Sequence, residues 1–71
     1  MKVEFSNVGM NNMNWTANIK ELSFDSLYRQ VKNKGALGSR DVDFSFDEKS
    51  QTGCIIVGMF RKVGEFKVLA S

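Results

Sequence analysis

Cys54-Ile55-Ile56-Val57-Gly58-Met59-Phe60 is the only unbroken apolar run in the chain, opened by Gly53 and closed by Arg61-Lys62. A run this short, rich in β-branched side chains and bounded by turn and charged residues, reads as a β-strand flanked on both edges and covered on both faces. A strand of that kind needs neighbours, and the rest of the sequence supplies them.

Lys2 to Val8 alternates, with Val3 and Phe5 on one side and Lys2, Glu4 and Ser6 on the other. Gly9 to Asn14 is turn-like, and Trp15 to Lys20 alternates again, so the first twenty residues predict a hairpin with a long loop. The period then changes. Phe24, Leu27, Tyr28 and Val31 fall at i, i+3, i+4 and i+7, one face of a helix from Phe24 to Lys34. Ser23 is placed to cap its start, Asp25, Lys32 and Lys34 suit its dipole, and Gly35 suits its exit. Ala36 to Arg40 is a connecting loop. Asp41 to Asp47 returns to alternation, Glu48 to Gly53 holds a turn, and Glu65 to Leu69 alternates after Val63-Gly64.

The order ββαβββ predicts a single small α+β domain over residues 1–71. It is either an antiparallel sheet with one helix packed on one face or a small, partly open barrel plugged by that helix. The expected core is Val3, Phe5, Trp15, Ala17, Ile19, Val42, Phe44, Phe46, Phe66 and Val68, closed by Leu27, Tyr28 and Val31. Seventy-one residues lie near the lower limit for an unaided core, so association is a natural supplement.

Catalytic chemistry finds little to work with. The chain has no histidine, the commonest general base and transition-metal ligand. Asp41, Asp43, Ser45 and Asp47 imitate the start of a calcium loop, but Phe46 occupies the position where that loop turns on glycine. Cys54 opens the most apolar run with no base beside it, which suits packing better than nucleophilic chemistry. Gly53, Gly58 and Gly64 match no phosphate-loop spacing; Gly53 and Gly64 read as turn residues, and Gly58 as a bulge or a close approach by the helix or a partner. No catalytic, cofactor or metal site is therefore expected, and no enzyme. One cysteine, no apolar leader and no apolar run near the roughly 20 residues that span a bilayer predict a cytoplasmic protein outside the membrane.

Two binding surfaces remain. If Val63-Gly64 make a two-residue turn, residues directly opposite share a face. Ile55, Val57 and Met59 then lie under the helix, while Cys54, Ile56, Phe60 and Leu69 form an apolar patch on the other face. Such a patch predicts a non-enzymatic interaction module that binds a protein partner, or a second copy of itself as a homodimer, through its sheet. The alternative is a nucleic-acid-binding module, in which Arg61, Lys62 and Lys67 hold phosphate beside a sheet aromatic. A net charge of +2 favours neither.

Overall fold

The structure, a computed structural model, describes residues 1–35, 37, 41–58 and 60–69. The expectations for Met59 and for most of the 36–40 connection lie outside the described residues. Five strands and one helix follow in the expected order: β1 (Lys2–Val8), β2 (Met13–Asn18), α1 (Phe24–Asn33), β3 (Val42–Asp47), β4 (Thr52–Val57) and β5 (Arg61–Leu69). The strands form one antiparallel sheet in the order β2-β1-β5-β4-β3. Among the described residues β2 and β3 do not pair with each other, so the sheet is open rather than a closed barrel.

The helix forms where its caps and stripe agree. Ser23 is extended, and its Oγ accepts from the Ser26 N–H at 3.2 Å. At the other end Gly35, at φ +66°, donates to Lys32 O at 3.0 Å, closing a carbonyl the helix leaves open. Leu27 and Val31 are buried against the sheet.

Cross-strand register places the core in rows. One row crosses the whole sheet as Trp15, Phe5, Phe66, Gly53 and Phe46. Phe5 stacks on Trp15 at 4.7 Å, and Phe46 stacks on Phe66 at 6.0 Å with the planes 7° apart. Gly53 is what lets those two rings close over β4. A Cβ there would lie 2.3 Å from Phe66 Cζ and 2.2 Å from Ser45 O. Gly53 is therefore a strand residue under an aromatic lid, not the turn residue its neighbours suggested.

The fourth and fifth strands correct the sequence reading further. β4 ends at Val57 and β5 begins at Arg61, with Gly58 at φ +58° and Phe60 both in turn conformation between them, and Val63-Gly64 lie inside β5. Ile55 pairs with Gly64 and Ile56 with Lys62, which leaves Val63 as the extra residue of a bulge. The bulge expected at Gly58 is thus at Val63. A matching bulge interrupts β1 between Phe5 and Val8, where Asn7 sits at φ +54°. The two bulges are adjacent, and they bring Val8 against Gly64, whose absent Cβ would lie 3.0 Å from Val8 Cα.

The apolar run becomes β4, paired on both edges, but β5 is the middle strand. Nor are both faces of β4 covered. Gly53 and Ile55 are buried on the helix side, whereas Cys54 and Ile56 are only half-buried on the outer face.

Candidate functional site

The β1–β2 loop, the β4–β5 turn and the start of β3 all lie at one end of the sheet, because β1 and β4 both run toward it. Asparagine chemistry orders the first of these connections. Asn7 N–H donates to Asn14 Oδ1 at 3.1 Å, Asn14 Nδ2 donates to Asn12 O at 2.9 Å, and Asn12 adopts φ +49°. Gly9 N–H donates to Val63 O at 2.8 Å, tying the loop to the bulged part of β5.

The β1–β2 loop, Leu37, the end of β4 and the first half of β5 line an open cleft of about 610 Å³, with Met10, Asn12, Val57, Arg61 and Lys62 among its walls. Met10 is 96% exposed, and Phe60, in the turn that leads into Arg61, is 89% exposed. No other large apolar side chain among the described residues stands so far into solvent. Lys62 pairs with Glu65 at 3.7 Å, both side chains being half-exposed.

The structure disperses the residues that the sequence grouped. Cys54 and Ile56 share the outer face, but Cys54 lies between Ser45 and Glu65, and Ile56 lies between Asp43 and Lys62. Leu69 shares that face at the far end of β5, beside Lys2. Phe60 is in the turn and is not part of the sheet face at all. The expected patch is thus two half-buried side chains framed by polar neighbours. Arg61 and Lys62 adjoin the cleft, whereas Lys67 lies five residues along β5 between Glu4 and Thr52, roughly 16 Å away by strand rise.

The acidic strand uses its carboxylates locally. Asp43 Oδ1 accepts from the Phe44 N–H at 2.8 Å, and Asp47 Oδ1 accepts from the Lys49 N–H at 3.0 Å. Among the described residues no group of three or more metal-ligating side chains stands together, and no helix is long and apolar enough to cross a membrane. Sequence reading missed Met10, which it assigned only to a turn. The signal was present: an apolar side chain between Gly9 and Asn11, with no strand to hide it.

No family model, no curated protein and no solved structure matches the chain.

Proposed function

We propose that this chain is a non-enzymatic, cytoplasmic binding module that grips a protein partner with the hairpin end of its sheet. The observation that carries this reading is the exposure of Met10 and Phe60 on two adjacent hairpin tips beside the cleft. Turns accept polar residues freely, so an apolar side chain held out on each tip costs solubility unless something covers it. Aromatic side chains and arginine are the groups that anchor protein interfaces, and here Phe60 is followed by Arg61. The matching partner surface is an apolar pocket with an acidic rim.

Photo-crosslinking tests the proposal. A benzophenone amino acid at position 60 should yield a product in the source cells that the same group at Ser45, on the exposed outer face, does not. The captured protein, once purified, should bind Met10→Ser/Phe60→Ser at least about tenfold more weakly than the parent. Identical products from the two positions, or unchanged affinity, would sink the idea.

A nucleic-acid reading keeps one supporting observation, the exposed Phe60 next to Arg61 and Lys62. Against it stand Glu65 beside Lys62 and Glu4 beside Lys67, which interrupt any phosphate track. Binding to a short oligonucleotide that falls steeply with salt, and is lost in Arg61→Ala/Lys62→Ala, would favour this reading over the first.

A further inference from the structure

The two edges of the sheet differ. Along β3, Gly58 N–H donates to Asp41 O, and the register then turns the backbone of Val42, Phe44 and Phe46 away from β4. The central outward N–H of that edge, on Phe44, is already taken by the Asp43 carboxylate. An aspartate in that place also repels a second acidic strand, a recognised defence of exposed edges.

Edge β2 has no such guard. Ile19 N–H donates to Met1 O at 2.8 Å, and Ala17 and Trp15 continue that hydrogen-bonded alternation opposite Val3 and Phe5. The backbone N–H and C=O of Asn14, Thr16 and Asn18 therefore point to the open side. Among the described residues no strand lies beyond them, and the strand Met-Asn-Trp-Thr-Ala-Asn carries no charge. At this edge Trp15 Nε1 is also buried with no acceptor among the described residues.

We propose that β2 pairs antiparallel with β2 of a second copy, on a two-fold axis at Thr16. Of the symmetric registers, this one alone sets every outward residue against another outward residue: Asn14 against Asn18, Thr16 against Thr16, and Asn18 against Asn14. All three then make both of their backbone bonds. On the outer face the pairs are neutral and polar, and threonine opposite threonine is a favourable pair. On the inner face the large Trp15 meets the small Ala17. No like charges meet anywhere along the strand, which is why a second copy fits here and is excluded at β3. A single strand pair buries little area, so the dimer is weak and forms as concentration rises. This contact is separate from the hairpin end, and Phe60→Ser should leave it intact.

Sedimentation between about 10 µM and about 1 mM tests the proposal, with the parent moving from monomer toward dimer mass. Thr16→Lys and Thr16→Glu should each remain monomeric, and an equal mixture should recover the dimer, because only this register brings the two positions face to face. Thr16→Pro removes an outward N–H and no bond to β1, so it should be folded and monomeric. A parent still monomeric at the highest concentration overturns the proposal. So does a Thr16→Lys variant that dimerises like the parent, or a mixture of the two charged variants that stays monomeric.

Discussion

Replacing Gly53 by alanine tests the aromatic row more sharply than deleting any of its rings. In an ordinary strand, Gly→Ala is favourable by about 0.5–1 kcal/mol, because alanine loses less backbone freedom on folding. Here the new methyl group would lie 2.2 Å from Ser45 O and 2.3 Å and 2.5 Å from two carbons of Phe66. The first is backbone of the neighbouring strand. The second belongs to a ring that is 2% exposed and held by Phe5, Phe44 and Phe46. Neither yields without moving a strand or repacking three aromatics, and overpacking of this kind costs about 1–3 kcal/mol or more. With two separate clashes the upper part of that range applies, and after the propensity gain about 2 kcal/mol of destabilisation remains. At about 0.05–0.15 kcal/mol per residue, a 71-residue chain has roughly 4–11 kcal/mol in total. At about 4–8 °C per kcal/mol, the thermal midpoint should fall by about 8–16 °C. Far-UV circular dichroism during a thermal melt measures this directly. A Gly53→Ala protein that melts at or above the parent would refute the packing of Phe66 and Phe46 over β4.

Leu27 is 4% exposed on the buried face of the helix, so Leu27→Ala should cost about 2–5 kcal/mol, read as a lower urea midpoint at unchanged slope. Ser23→Ala removes the acceptor of the Ser26 N–H and should cost about 1 kcal/mol in the same assay. Met10→Ser/Phe60→Ser alters two side chains that touch almost nothing, and its stability should stay within about 0.5 kcal/mol of the parent. A large loss in that double variant would mean that the hairpin tips are structural.

Much of the fold was legible because hydrophobic period tracks local geometry. The change from alternation to the Phe24, Leu27, Tyr28, Val31 stripe located the helix, and the capping residues located its ends. The β4–β5 hairpin was misplaced because Val63-Gly64 looks like a turn and Gly58 is hidden inside an apolar run. The facing of β4 nevertheless came out right, for a reason that is purely geometric. The expected turn would have set Phe66 opposite Arg61, whereas Phe66 pairs with Gly53. The two partners are 61 − 53 = 8 residues apart, and an even slip preserves which side chains point inward. An odd slip would have buried Cys54 and Ile56 instead. What could not be read was the pair of bulges, since neither Asn7 nor Val63 differs in type from ordinary strand-end residues. Their positions are set by how β1 and β5 meet, far apart in sequence.

That meeting also explains why the candidate site escaped the sequence. Within a strand, alternation says which residues face the core, and it marked Ile56 and Cys54 as the apolar side chains left over. In the sheet Cys54 is flanked by Ser45 and Glu65, and Ile56 by Asp43 and Lys62. Connections carry no such alternation, so Phe60 gave no sign of its exposure, and Met10 gave only its place between Gly9 and Asn11, away from any strand. Only the strand order puts their two hairpins side by side, through the pairing of β1 with β5, and only the adjacent bulges open the cleft next to them. The fully buried rows of the sheet end at Val8 and Ile55. Beyond them only Val42 is still a core residue, and Met10 and Phe60 on the hairpin tips stand clear of the core, which is where a small domain can hold a binding surface at least cost to its own stability.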